Sequence, residues 1–430
     1  MTTPDRTRAP RTQIVTHVPY IKPLAASFPN DLPVYFMDGG TEEFLKVELV
    51  FFAGSYYQSK PLVSRATTNL LRSGTATKSR EEINELLDYY STFLLLDTQK
   101  DIASVSMFVL NKHLIPVLDL LREMIEEPVF PEDEMRAFLK NQQQLHRVNQ
   151  RKVQHLARTY FSQMIYGDHH PYGYRLKEDD FDHVDRDDLI QHHRQRFHAG
   201  NAFLLVAGKL PGNIQDELAV RFGHNLPAAK QETFVPTYQT QSSGNRKMHL
   251  EVPDSVQSGI RVGKQLFNAT HPAYHKLKVT NALLGGYYGS RLMQNIRQDK
   301  GYTYGIGSNI VSLLRSGYFF IATQTGTDVT EAATEEIYKE LKTLRSEPAG
   351  KEELKTLKNY LSGSFLRSFD GPFAQSQRFK ELLVFGLDPS HHDDFLKTLK
   401  SITAEEIMET ARDYLHEDSM MEVVAGRKTS

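Results

Sequence analysis

The chain contains no cysteine, which excludes disulfides, thiolate zinc sites and cysteine nucleophiles. It lacks any run approaching the roughly 18 apolar residues of a membrane span. The opening MTTPDRTRAPRTQ has no apolar core of the signal-peptide kind. The expectation is a cytoplasmic protein with no membrane partner, or a periplasmic one if an export signal was trimmed. An excess of one charge is also missing: 51 Lys plus Arg stand against 53 Asp plus Glu, which argues against nucleic acid as the principal partner. Self-sufficient catalytic signatures are absent too. No H-E-x-x-H, H-x-x-E-H, G-x-S-x-G or G-x-x-x-x-G-K-[ST] occurs, so neither a zinc helix, a serine elbow nor a phosphate loop can be read from the chain. His271 and His275 have the spacing of one helical face but no glutamate near them. The adjacent pairs His169-His170, His192-His193 and His391-His392 cannot converge on one ion from a single face, and we read them as solvated.

What is present is length and repetition. A chain of 430 residues exceeds the roughly 100–200 residues of an ordinary domain. Strands are expected at Leu32 to Phe36 and in KVELVFFAG (Lys46 to Gly54), followed by a helix from about Leu62 to Leu71. A second helix opens on SREE, where Ser79 and Glu82 have capping-box spacing. Strands at Phe93 to Thr98 and Ile102 to Leu110 precede an amphipathic helix from Leu114 to Glu126, then helix from Glu132 to about Phe161 and from Asp187 to Phe197. Between Leu226 and Met248 the composition turns polar and rich in turn residues, as linkers are. VDRDDLIQHHRQRFHAGNAFLLVAGK, ending at Lys209, aligns without a gap on ITAEEIMETARDYLHEDSMMEVVAGR, ending at Arg427. EEPVFPEDEMRAFLKNQ around Pro128 likewise parallels SEPAGKEELKTLKNY around Pro348. Two matches at nearly one offset indicate duplication. The fold class is therefore α+β: two homologous α/β-sandwich domains, each an antiparallel-rich sheet with helices on one side. The domains are expected over residues 1–225 and 248–430, with 226–247 as the linker.

The segment GGYYGSRLMQNIRQDKGYTYGIGSNI, from Gly285 to Ile310, concentrates glycine, tyrosine and arginine. Its pattern is a helix ending in the glycine cluster, a short helix over Arg291 to Asp299, and an extended run after Gly301. Arg297 and Tyr304 can then point into the same space. Both donate hydrogen bonds and one is permanently charged, which suits an oxyanion or a peptide carbonyl. The alternative is that Arg297 caps its helix and Tyr304 is a half-buried strand aromatic. Arg291 is read as structural.

Taken in order, KVELVFFAG, LLRSGTATKS, EEPVFPEDE, HHPYGY, LLVAGK, LLGGYYGSRLMQNIRQDKGYTYGIG, FGLDPS and VVAGR resemble the pitrilysin-like metallopeptidases, the family of insulysin and the mitochondrial processing peptidase. The resemblance spans nearly the whole chain and implies duplicated α+β domains. Active family members carry H-x-x-E-H on the helix leading into the Gly-Thr turn; counted back from Gly74-Thr75, that motif falls on Arg65 to Asn69. Here Arg65 and Asn69 replace the histidines and Thr68 replaces the glutamate. The distal glutamate ligand should fall near Gln142 to Leu145, where no carboxylate occurs. A cation at Arg65 would also repel Zn²⁺. The resemblance thus implies no metal in this chain, and zinc in a partner subunit that retains His-x-x-Glu-His. Arg297 and Tyr304 match the family's Arg and Tyr pair, which holds the substrate carbonyl across the subunit interface. The expected role is a non-catalytic, peptide-binding subunit of a heterodimeric zinc peptidase acting on unfolded peptide. The alternatives are a non-proteolytic assembly subunit of the same fold, or an autonomous peptidase with unusual ligands such as His169, His271 or His275.

Overall fold

The computed structural model describes Thr7, Val18 and residues 20–224, 226 and 235–428. Most of the polar leader and part of the expected linker, 227–234, lie outside the described residues; 235–246 form no helix or strand. The first sheet contains β1 (Leu24–Ser27), β2 (Pro33–Asp38), β3 (Phe44–Phe51), β4 (Phe93–Thr98), β5 (Ala103–Leu110) and β6 (Ala202–Gly208), in the spatial order β1-β2-β6-β3-β5-β4. The second contains β7 (Lys247–Glu251), β8 (Gln257–Leu266), β9 (Thr303–Leu313), β10 (Ser316–Gly326) and β11 (Met421–Gly426), in the order β7-β11-β8-β10-β9. Without β1, the orders coincide. Each sheet also has one parallel pair, β2 with β6 and β7 with β11. The repeat in sequence is a repeat in topology, and the edge strand β9 corresponds to β4.

The helices of the first half are α1 (Val63–Leu70), α2 (Arg80–Tyr89), α3 (Leu114–Glu126), α4 (Glu132–Asn149), α5 (Val153–Tyr166), α6 (Arg186–Arg196) and α7 (Ile214–Phe222). Those of the second are α8 (Tyr274–Asn281), α9 (Thr330–Ser346), α10 (Lys351–Arg367), α11 (Gly371–Phe385), α12 (Ser390–Ser401) and α13 (Ala404–Tyr414). The aligned segments of the repeat become α6 with β6 and α13 with β11, and both helices start in the same way. Asp185 accepts from the Asp188 amide at 2.9 Å, and Thr403 accepts from the Glu406 amide at 3.1 Å. In each case the later carboxylate returns the bond to the cap residue's own amide, satisfying two otherwise free donors. The Ser79 and Glu82 capping box forms as expected.

One helix was expected to run from Glu132 to about Phe161; the chain instead breaks between Asn149 and Val153. The reason is tertiary. After the break, α5 leaves its own half and lies on β8 and β11 of the second sheet. Its Val153, Ala157, Phe161 and Met164 are buried there with Val423 and Ala425, and burying each large apolar side chain contributes about 1.5–3 kcal/mol. In exchange, α11 of the second half covers β6 and β2 of the first sheet, where Leu383 and Val384 pack on Phe203 and Leu205. Each half's own helices therefore cover one face of its sheet, and the other half covers the second face. This double coverage explains why β6 is buried along its whole length.

The exchange also buries charge. Glu48 on β3 accepts from Lys46 at 2.6 Å and from Lys380 of α11 at 2.7 Å, with Glu48 only 1% exposed. Burial opposes ionisation of Glu48, yet the two ammonium groups outweigh it and hold its carboxyl below the usual range. A second tie joins two hairpin turns. Asp101, after β4, accepts from the Leu314 amide at 3.0 Å and from the Tyr172 hydroxyl, while Arg315 lies over the Tyr56 ring at 4.3 Å.

Candidate functional site

The helix α1 carries Arg65, Thr68 and Asn69, the positions to which the sequence resemblance assigns a metal motif, and packs beside α4. It is entered through Leu62, whose φ of 72° is left-handed and unusual for a bulky residue. Thr68 is fully buried, and its hydroxyl donates back to the Ser64 carbonyl at 2.9 Å. The Asn69 amide donates to the Arg65 carbonyl at 2.8 Å. Arg65 is exposed and faces a cleft of about 810 Å³ that Gln142, Leu145 and His146 of α4 also line. A guanidinium, a hydroxyl committed to its own helix and an amide likewise committed do not fit a divalent zinc ion, which takes neutral imidazole, thiolate or carboxylate. Among the described residues no group of three or more His, Asp or Glu is placed to hold a metal.

The Arg and Tyr segment is built from unusually wide helical turns. The helix α8 continues as a π turn over Ala282–Gly286, and a second π segment spans Met293–Asp299; such turns are frequent at functional sites. Gly285 is needed here, because a Cβ would lie 2.6 Å from the Ser308 hydroxyl and 2.7 Å from its amide nitrogen. Asn281 fastens the same junction: its carbonyl accepts from the Ser308 hydroxyl at 3.2 Å. Arg291 forks onto Glu353 at 2.8 and 3.0 Å, a structural pair. Gly301, at φ 68°, turns the chain into β9 as expected.

Tyr304 sits in a β-bulge. Ile306 pairs with Thr323 and Thr303 with Thr325, so β9 has one residue more than β10 across this interval. Three hydrogen bonds hold the irregularity: the Thr303 hydroxyl donates to the Gln324 carbonyl at 2.7 Å, the Thr323 hydroxyl to the Gly305 carbonyl at 3.0 Å, and the Gly305 amide to the Thr303 hydroxyl at 3.1 Å. Bulges re-aim side chains, and Tyr304 is 93% exposed. The half-buried strand aromatic considered from the sequence is not what forms. Arg297 does not cap its helix through any described hydrogen bond; its guanidinium lies over the Tyr288 ring at 5.0 Å. No described contact joins Arg297 to Tyr304. They project from neighbouring segments without a bond between them.

The reading of the adjacent histidines as solvated holds for His169, which is exposed, and requires correction for the others. His170 and His192 are 5% and 3% exposed. His192 donates to the Ala53 carbonyl at 3.1 Å and His193 to the Ile125 carbonyl at 2.7 Å. Burial drives both imidazoles down to about 4, so they act as neutral core donors. His271 stacks on Phe267 at 3.7 Å, while His275 lies 4.3 Å from His391.

The sequence reading passed over a basic groove. A second cleft, of about 610 Å³, lies between the start of α5 and the outer face of the second sheet and reaches Gly305, next to Tyr304. Asn149, His155 and Arg158 line it and the first cleft alike, so the two adjoin. A signal was available: no Asp or Glu occurs between Glu134 and Asp168.

Residues 183–361 match the family described as "Peptidase M16 inactive domain". Over those residues the chain is similar to the M16 peptidase family. That is the pitrilysin-like family its sequence resembles. An uncharacterized zinc protease of Bacillus subtilis is 24% identical over 84% of this chain and 88% of its own. The crystal structure of a peptidase M16 inactive domain from Pseudomonas fluorescens superimposes with a TM-score of 0.87 at 23% identity, covering 95% of this chain and 99% of that one. The periplasmic protease PqqL from Escherichia coli superimposes with a TM-score of 0.79 at 15% identity, and this chain covers 49% of its length. These likenesses support the fold of two related α/β units.

Proposed function

We propose that this chain is the non-catalytic half of a divided zinc peptidase: it binds unfolded peptide and offers Arg297 and Tyr304 to the zinc site of a partner that retains His-x-x-Glu-His. The observation that carries this reading is the contrast within one chain. The α1 positions hold Arg65, Thr68 and Asn69, which do not fit zinc, whereas the bulge in β9 keeps Tyr304 93% exposed. A side chain that served only this chain's packing would not be turned outward by its own hydrogen-bonded irregularity.

In this reading water activation belongs to the partner's zinc site. What this chain contributes is donors. The Tyr304 hydroxyl and the Arg297 guanidinium would hydrogen-bond the carbonyl of the bound peptide and favour the oxyanion as it develops. The edge strand β9 is paired on one side only, with β10, and a cavity of about 740 Å³ adjoins its Asn309 to Leu313. An extended peptide can add there as a further strand. The test is Tyr304→Phe, assayed in a mixture with the zinc-bearing relative. The expected result is a loss of roughly 10²–10³ in kcat, with assembly and the partner's zinc content unchanged. Unchanged turnover would remove Tyr304 from the reaction.

A further inference from the structure

The groove formed by these two adjoining clefts is strongly cationic in a chain whose total charge is almost balanced. Arg151, Lys152, Arg158 and Arg261 line the cleft beside the second sheet, and among the described residues no Asp or Glu lines it. The cleft beside α1 adds Arg65 and has Asp168 as its single carboxylate. Other cations of this region are already committed: Lys60 to Asp188 at 2.7 Å, Arg147 to Glu178, and Arg175 to the Tyr160 ring at 3.5 Å. Arg65, Arg151, Lys152, Arg158 and Arg261 make no ion pair with any described residue.

Arg261 is the decisive member. It projects from β8 on the outer face of the sheet and is only 8% exposed. Its guanidinium lies over the Phe320 ring at 3.9 Å, and its buried Nε has no hydrogen-bond partner among the described residues. An arginine buried without a carboxylate loses hydration that its own protein does not replace. Burial accordingly lowers its affinity for the proton, to a pKa of about 10. A ligand carboxylate entering the cleft would supply the missing partner with two parallel bonds.

We infer that this groove takes an acidic peptide segment, so that the substrates captured by the chain carry clustered Asp or Glu beside the stretch that reaches Tyr304. This rests on the peptide-binding reading above and names the class of peptide. Two observations favour peptide over nucleic acid. The cleft at Arg261 has no Phe, Tyr or Trp among its described lining residues, leaving His155 as the one ring on which a base could stack. It opens instead at Gly305, where the strand suited to pairing with an extended backbone begins.

The experiment measures fluorescence anisotropy of labelled unstructured peptides of one length with the full chain. One peptide carries several Glu, a second has Gln at those positions and a third has Lys. The Glu peptide is expected to bind about tenfold more tightly than the Gln peptide and the Lys peptide more weakly than either, with the preference shrinking as salt rises. Arg261→Gln should abolish the preference. Because Arg261 is packed on Phe320, the exposed double variant Lys152→Gln, Arg158→Gln provides an independent reading of charge and should reduce the preference without altering folding. Equal binding of the Glu and Gln peptides would overturn the acidic preference and leave peptide capture standing. Failure of all three peptides to bind would overturn both. An oligothymidylate binding as tightly as the Glu peptide would overturn the assignment to peptide and mark a general polyanion groove.

Discussion

Three residues, Arg65, Thr68 and Asn69, decide what α1 can do. On the proposed reading each stands where a group would bind or activate, and two of them are occupied with their own helix through the Ser64 and Arg65 carbonyls. Restoring the motif alone should still fail, because Gln142 and Leu145 face the same cleft from α4 and offer no carboxylate. We expect the triple variant Arg65→His, Thr68→Glu, Asn69→His to show no zinc-dependent peptide hydrolysis when assayed alone. Chelator-sensitive cleavage by that variant would mean that the cleft supplies a ligand from elsewhere. Tyr304 is the opposite case, a residue whose exposure is actively maintained by Thr303 and Thr323. Its position in the strand could be read from the alternating pattern after Gly301. The bulge could not, since it depends on a one-residue mismatch between β9 and β10 that neither strand reveals by itself.

At the scale of elements, the exchange of α5 and α11 is what makes the two halves interdependent. Substituting Glu48→Gln would leave Lys46 and Lys380 facing each other in a dry interface, and breaking a buried ionic group of this kind costs about 3–5 kcal/mol. A clear fall in the denaturant midpoint is expected; a change within the ordinary range of surface substitutions, about 0.5 kcal/mol, would show that water reaches the cluster. The carboxyl of Glu48 is held below its ordinary range, so its stabilising contribution is present above the unfolded carboxylate pKa and is lost as pH falls through the lowered value. Much of the secondary structure was legible from period and caps: Leu114–Glu126 and the Ser79 capping box form as read. The break before α5 was not, because Val153, Ala157 and Phe161 continue a helical pattern whose partner surface, β8 and β11, lies far away in sequence. The same holds for Lys46 and Glu48, which look solvent-facing within KVELVFFAG until α11 covers them. The strand β1 was missed in the weakly patterned segment before Pro33.

For the whole molecule, buried neutral histidines set the response to acid. His192 and His193 in the first half and His275 and His392 in the second are all driven down to about 4, first by burial and then by neighbouring charge or imidazole. Between the unfolded value of 6.5 and about 4, the unfolded chain binds more protons than the folded one, so stability falls as pH falls through this window. His192 alone, at 3% exposure, accounts for up to about 3 kcal/mol across it. The melting temperature should therefore decline progressively below about pH 6.5 and be insensitive to these groups above it; a flat profile down to about pH 4 would contradict their burial as neutral species.

Two related halves, a helix unsuited to zinc and an outward-turned tyrosine are the features on which the proposed divided peptidase rests. The direct test is peptide hydrolysis by the full chain alone, by a His-x-x-Glu-His relative alone and by the two mixed, each with and without a chelator. The account predicts silence from this chain alone and chelator-sensitive cleavage in the mixture exceeding that of the relative by itself. Chelator-sensitive cleavage by this chain alone would contradict the loss of its metal site. A mixture no more active than the relative would contradict the divided active site and favour an assembly role for the same fold.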